Sequence, residues 1–243
     1  MTARTAGTPD RWTRRLLGCG LAAGPVFTAT FLLEGATRDG YRPRRHPVSS
    51  LALGPRGWVQ TANFTVTGTL FLAGAAGLWR AARTGPSRAG AEGQGQAGQP
   101  GASTHAAAAL IATAGLIAAA GLGLLSAAVF PTDPVSGYPP GTPPAPPSPS
   151  RTGTAHNLAA IPFFAGLPAA ALVSGRRSWR TGQPGFARYS AVTALTMLTT
   201  AVLSGAGFGQ SPGLVPVAGL LQRISIITGL TWLTTQAARV LRD

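Results

Sequence analysis

Six long apolar runs, separated by polar segments, dominate the pattern of the chain. Each run is close to the length of about 20 residues that an α-helix needs to cross the hydrocarbon layer of a bilayer. Inside a bilayer the backbone polar groups must be satisfied within the protein, so runs of this length fold as helices. The pattern therefore predicts an all-α integral membrane bundle of six transmembrane helices, over residues 16–33, 58–79, 106–130, 154–174, 187–208 and 214–238.

The connecting segments differ in composition, and each predicts a different kind of connection. Residues 1–15 are polar and predict a cytoplasmic tail ahead of a membrane domain over residues 16–240. Residues 84–105 are rich in Gly and Gln, which is typical of a flexible linker. Residues 131–153 form a Pro-rich outer loop, and its nine prolines between Pro131 and Ser150 predict an extended, polyproline-like spacer.

The stretch from Arg45 to Phe64 interrupts the apolar pattern between the first two runs. It is too polar for the membrane interior and too rich in Ser, Pro and Gly for one continuous helix. We therefore expect an interfacial or re-entrant segment before the second helix.

Prolines and glycines inside the runs predict local features of the helices. Pro162 and Pro168 should break the fourth helix, because proline cannot donate the backbone hydrogen bond. Gly115, Gly121 and Gly123 are candidates for close contacts between helices, since small residues let two helix backbones approach in lipid.

The charged residues indicate how the helices are oriented. All twenty basic residues are Arg, only six acids oppose them, and the net charge is +14. With the N-terminus inside, thirteen Arg lie in cytoplasmic segments and six in outer loops, which favours cytoplasmic N- and C-termini in the cell membrane. The predicted partner is the lipid bilayer rather than nucleic acid, because no soluble basic domain remains to bind it. No pattern in the chain indicates an oligomeric state.

Several short motifs lie at corresponding ends of the predicted helices. They are HPVSSLALG at residues 46–54, GWVQTANF at 57–64, VFPTDP at 129–134, GTAHN at 153–157 and GLLQRI at 219–224. In this order, and over nearly the whole chain, they resemble the DUF998 family of prokaryotic multi-pass membrane proteins. The resemblance implies an integral membrane protein without an established activity, and it supplies no catalytic residues.

The predicted topology brings scattered polar residues to the outer ends of the helices. Polar side chains at such positions are costly unless they face the bundle interior or a cavity. We expect an outward-facing pocket for a lipid headgroup, a small polar ligand or a partner. Its candidate residues are Arg45, Ser49, Ser50, Gln60, Asn63, Asp133, His156, Asn157, Gln222 and Arg223.

Arg223 is the most costly of these residues, because it falls within the sixth run. A charge at that depth costs about 3 kcal/mol, so an acidic partner is expected. Asp133 and Glu34 are the two acids near enough on the predicted topology. The pair would form either a purely structural clamp between helices or part of the ligand pocket.

Two other classes of function remain as alternatives. An intramembrane hydrolase acting on a lipid-like substrate could use Ser50, His156 and Asp133, or a metal held by His46, Asp133 and His156. Neither version has a supporting motif, because Ser50 does not lie in a GxSxG turn and the chain lacks an HExxH pair. A small-solute permease is the third possibility. We predict no cofactor.

Overall fold

The computed structural model describes residues 9–84, 100–146 and 148–242 of the chain. In these ranges the regular structure is helical, apart from one isolated bridge between Val135 and Tyr138, which agrees with the predicted all-α class. The seven α-helices of the described ranges are α1 (Arg11–Thr37), α2 (Gly57–Thr84), α3 (Pro100–Val129), α4 (Arg151–Phe164), α5 (Gly166–Arg180), α6 (Pro184–Phe208) and α7 (Ala218–Arg242). Short 3-10 turns at Val48–Ala52 and Val215–Val217 precede α2 and α7.

Five helical segments of the described chain are long and apolar enough to cross a membrane. They are Arg11–Thr37, Thr104–Val129, Arg151–Arg180, Pro184–Phe208 and Val215–Arg242. Helix α2 has 28 residues but is not among them. Its sequence carries a polar stripe of Gln60, Asn63 and Thr67, and all three side chains are buried against the neighbouring helices.

Helices α4 and α5 form one segment that is interrupted at Ala165. Pro162 lies inside α4, and Pro168 lies in the first turn of α5. Because each proline lacks a backbone N–H, the regular hydrogen-bond ladder is weakened on both sides of Ala165. The break predicted for this helix is therefore present.

When α4 and α5 are counted as one segment, successive helices run in opposite directions, so the helix ends lie at two ends of the bundle. At one end lie the C-termini of α1, α3 and α6 and the N-termini of α2, α4 and α7. We call this the loop end, because it carries the first loop (residues 38–56) and the Pro-rich loop (within residues 130–150). Successive long helices pack side by side, and α1 also packs against α7 while α3 packs against α5.

Glycines allow the closest approach between α2, α3 and α4. A Cβ atom at Gly121 would lie 2.8 Å from Phe71 Cβ and 2.9 Å from the Gly68 carbonyl oxygen. A Cβ at Gly123 would collide with the Ala159 carbonyl. The predicted close contacts at these two glycines are confirmed. The prediction for Gly115 is wrong, because a Cβ there would meet no atom within 4 Å.

Helix α1 begins earlier than the apolar pattern predicts. Asp10 caps it by accepting hydrogen bonds from the backbone N–H groups of Trp12 and Thr13, at 2.9 and 3.0 Å. The last residues of the predicted tail are therefore helical. The predicted linker falls mostly on residues 85–99, outside the described residues, and from Pro100 onward the chain is already in α3.

The Pro-rich loop is folded rather than extended, which corrects the expectation of a polyproline-like spacer. Its backbone turns back on itself, with the Ser136 N–H donating to the Pro144 carbonyl at 2.7 Å. Tyr138 is 2% exposed, and its ring packs against Tyr41 and His46 of the first loop. Tertiary packing of this one aromatic ring overrides the extended preference of the prolines around it.

Candidate functional site

Arg223 of α7 holds the first loop against the bundle. It is 6% exposed, and its guanidinium donates to the backbone carbonyls of Pro43, His46 and Gly219. It also donates to the Tyr41 hydroxyl, which in turn donates to the Pro47 carbonyl at 2.9 Å. A planar guanidinium with five N–H donors suits such a convergent set of acceptors.

The expected ion pair between Arg223 and Asp133 or Glu34 is not formed. Glu34 instead pairs with Arg38 at 2.6 Å and with Arg56. The Asp133 carboxylate accepts from the backbone N–H and the hydroxyl of Ser150, at 2.9 and 2.6 Å. Carbonyl dipoles and the Tyr41 hydroxyl take the place of an acid, and they accept hydrogen bonds from both terminal nitrogens of Arg223 without a second buried ion.

Glu34 and Arg38 tie the end of α1 to the start of α2. Arg38 donates to the carbonyls of Leu51 and Leu53 as well as to Glu34. Arg56 lies beside the same carboxylate and is half-exposed. This small network places two of the five arginines of the first loop in a structural role.

His46 lies between the two loops in its neutral form. Its Nδ1 accepts a hydrogen bond from the Arg42 backbone N–H at 2.9 Å, so this nitrogen carries no proton. Burial, which disfavours the charged imidazolium, lowers the pKa of His46 from 6.5 to about 4. The positive charges of Arg45, Arg42 and Arg223 act in the same direction, and a hydrogen bond with the Ser136 backbone opposes them.

Asp133 and His156 organise the start of α4. The hydroxyl of Ser150, the N-cap residue, accepts from the Gly153 N–H at 2.9 Å and donates to Asp133. A carboxylate at a helix N-terminus also interacts favourably with the helix dipole. One turn further on, Nδ1 of His156 lies 2.8 Å from the Phe130 carbonyl oxygen, and the ring packs edge-on against Phe64 at 6.2 Å. These bonds link the end of α3 to the start of α4.

A cavity of about 490 Å³ opens beneath the two loops, between α3, α4, α6 and α7. Most of its wall is apolar, and five aromatic rings from four helices contribute to it: Phe27, Phe64, Phe163, Phe164 and Phe208. The Pro-rich loop forms part of its rim through Thr132–Val135 and Pro146. A volume of this size is in the range of small-molecule sites.

The polar residues predicted for one pocket are divided between three places. Ser49, Asp133, His156, Asn157 and Gln222 line the cavity, and Gln222 also accepts from the Val48 N–H at 2.8 Å. The other five candidates do not line it. Arg45, Ser50 and Arg223 belong to the first loop and its anchor, and Gln60 and Asn63 lie within the bundle beside α1.

Asn63 and Gln60 form a buried polar contact between α1 and α2. The Asn63 side-chain amide donates to the Phe27 carbonyl at 3.2 Å and to Gln60 Oε1 at 3.3 Å. Thr67 donates to Asn63 Oδ1 at 3.5 Å, one turn deeper. The Gln60 side-chain nitrogen and the Ser50 hydroxyl are buried without a hydrogen-bond partner among the described residues.

The residues of the two hydrolase alternatives are not assembled into a catalytic group. The hydrogen bonds of Asp133 and His156 lead to Ser150 and to Phe130, respectively, and Ser50 does not line the cavity. Within the part of the chain that the structure describes, no group of three His, Cys, Asp or Glu side chains could hold a metal ion. The metal set of His46, Asp133 and His156 is therefore not formed, because His46 is enclosed by Tyr41 and Tyr138.

Sequence reasoning missed the two tyrosines that join the loops. Tyr41 and Tyr138 lie with ring centroids 5.2 Å apart, and both are buried. Their signal in the sequence is weak but present: the chain has three tyrosines, and two of them fall in segments otherwise rich in Pro, Gly and Arg. An aromatic residue isolated in such a loop usually packs on something.

A family model matches the chain over residues 21–93 and 101–239. The chain belongs to the DUF998 family. The description of this family is a protein of unknown function, so membership carries no activity with it. No curated protein and no solved structure matches the chain significantly. Together with the five long apolar helices, membership supports the assignment of this DUF998 protein as a membrane protein.

Proposed function

We propose that this DUF998 protein is a six-span membrane protein that binds an amphiphilic ligand in the cavity at its loop end. The observation that supports the proposal most is the cavity itself, whose lining combines aromatic rings with a few polar side chains. An apolar chain fits against the phenylalanines, and a polar headgroup fits beside Asn157, Gln222 and Ser49. Sites of this kind combine a largely apolar wall with a few placed polar groups.

The proposal includes α2 as the sixth span. Its polar stripe of Gln60, Asn63 and Thr67 is covered by its neighbours, so the polar groups would not meet lipid. Trp58 and Trp79, near its two ends, are 70% and 43% exposed, and tryptophans favour the two interfaces of a bilayer. The excess of arginine at the end opposite the loops supports cytoplasmic termini and an outer-facing cavity.

The charge of the residues that line the cavity indicates which headgroup charge the ligand should carry. Asp133 is the charged residue of the described cavity lining, and both of its oxygens already accept hydrogen bonds from Ser150. The arginines of the first loop do not line the cavity. A headgroup that is uncharged or cationic is therefore favoured over an anionic one, because an anion would meet a carboxylate without a compensating base.

Photolabelling in membranes tests this proposal. The probe is a long-chain alkylamine carrying a diazirine, and peptide mapping after irradiation should place the label on α4 and α6 near Phe163 and Phe208. Ala160→Phe adds a ring to the cavity wall and should reduce this labelling several-fold. Ala108→Phe adds the same ring on an exposed face of α3 and should leave it unchanged. Equal labelling of both variants and the wild type would refute a ligand site in the cavity.

A further inference from the structure

A second concave site lies at the opposite end of the bundle, between α5 and α6. It is a groove of about 270 Å³, and none of the residues that line it belongs to the loop-end cavity. We propose that this groove binds the phosphate of an anionic phospholipid. The proposal does not depend on the ligand of the loop-end cavity.

Two arginines supply the positive charge of the groove. Arg176 comes from α5 and Arg188 from the first turns of α6, and both are exposed. Among the described residues neither forms an ion pair with an acid. Guanidinium groups bind phosphate oxygens through paired hydrogen bonds, and two of them converging from neighbouring helices can hold one phosphate.

The start of α6 adds to this positive potential. Its first turn contains no acidic residue, and its N-cap, Gln183, makes no side-chain capping bond. The positive end of the helix dipole is therefore not neutralised by a side chain next to the groove. Basic pockets between membrane helices are known to bind anionic headgroups.

The apolar part of the groove matches a lipid rather than a free phosphate. Leu172 lies one turn inward from Arg176 and is 50% exposed, and Ala191 lies at the corresponding depth on α6. Trp179, at the outer end, is 61% exposed, as expected for a ring at the membrane interface. The groove is therefore charged at its outer end and apolar further in. A phospholipid has the same order, with its charged headgroup outside and its acyl chains inside.

Gly175 sets the width of the groove. A Cβ at this position would lie 3.0 Å from Ser190 Cβ and 3.3 Å from the Ala187 carbonyl oxygen, so the two helices touch at its floor. Arg176 and Arg188 line the same groove as Gly175 and Ala187. The groove is therefore a fixed feature of the α5–α6 pair, built on small residues.

Native mass spectrometry of the full chain in detergent tests the proposal. The probes are phosphatidylglycerol and phosphatidylcholine with identical acyl chains, added in equal amounts. The wild type should bind one phosphatidylglycerol about tenfold more tightly than phosphatidylcholine, because only the former carries a net negative charge. Arg176→Gln combined with Arg188→Gln should remove this preference, and Lys at both positions should restore part of it.

The matched control removes the same charge from the same end of the bundle. Arg14 and Arg180 are exposed there but do not line the groove, so Arg14→Gln with Arg180→Gln should keep the preference within about twofold. Since all four arginines are exposed, the variants should fold, and this is checked by their melting temperatures. Equal binding of the two lipids by the wild type would overturn the proposal. So would an equal loss of preference in both double variants.

Discussion

Arg223 is the residue on which the loop end depends most. It makes four hydrogen bonds, to three backbone carbonyls and one tyrosine hydroxyl, and its guanidinium lies 5.5 Å from the Tyr41 ring centroid and 5.8 Å from that of Phe31. The sequence predicts that this arginine is buried, but not what it binds. Every residue has a backbone carbonyl, so the sequence cannot show which carbonyls accept hydrogen bonds from Arg223. Acidic side chains, in contrast, are visible in the sequence. An acidic partner was therefore the natural but wrong expectation.

Replacing Arg223 tests this role. Arg223→Met should lower the free energy of unfolding by about 3 kcal/mol, because it leaves several buried carbonyls and the Tyr41 hydroxyl without a donor. The measurement is thermal or denaturant unfolding in detergent. Arg44→Met is the matched control, since the Arg44 side chain is exposed and its backbone carbonyl still accepts from Leu220. A change below about 0.5 kcal/mol for Arg223→Met would contradict the anchoring role.

His46 makes the stability of the loop end dependent on pH. Its pKa is about 4 in the folded protein and 6.5 normally, so the unfolded chain binds a proton first as the pH falls. Stability should therefore be complete above about pH 6.5 and should decrease as the pH falls towards 4. His46→Gln should show a flatter dependence in this window. The measurement is the melting temperature between pH 4 and 8, and an equal slope in both proteins would contradict the burial of neutral His46.

At the scale of the elements, the apolar pattern predicts the helices well and the loops poorly. The helices are predicted because a bilayer-length apolar run has few alternatives to a helix. The Pro-rich segment is predicted to be an extended spacer, but in the structure it folds back, and the Tyr138 ring packs against His46 and Tyr41. Packing of a single ring on a distant loop depends on three-dimensional proximity, which composition does not contain.

Glycine contacts between α2 and α3 give a prediction at this scale. Gly121→Ala should lower the free energy of unfolding by about 1–3 kcal/mol, because its Cβ would collide with Phe71 Cβ and with the Gly68 carbonyl. Gly115→Ala, on the same helix, meets open space and should be neutral or should stabilise by up to about 1 kcal/mol. Unfolding of both variants in detergent makes the comparison. An equal effect at the two positions would mean that α2 and α3 are not in close contact at Gly121.

At the scale of the whole molecule, the polar residues proposed from the sequence fall into three groups. Their location in the fold, and not their residue type, determines the group to which each belongs. The predicted topology assigned them to one end of the bundle, since alternate helices expose alternate ends. It could not divide them between the cavity wall, the loop anchor and the α1–α2 contact, because that division depends on which face of each helix points inward. His156, Asp133 and Gln222 line the cavity, whereas Arg223, the next residue after Gln222, does not line it and donates to the carbonyls of Pro43 and His46.

The proposed architecture has six spans, with both loops and the cavity on the outer face. Single cysteines in a Cys19→Ala background test it most directly, with a membrane-impermeant maleimide added to intact cells. Pro55→Cys lies in the first loop and Thr181→Cys at the opposite end, and both positions are exposed. We predict labelling at position 55 in intact cells, and labelling at position 181 only after the cells are opened. Labelling in the reverse order, or of both positions in intact cells, would contradict the account.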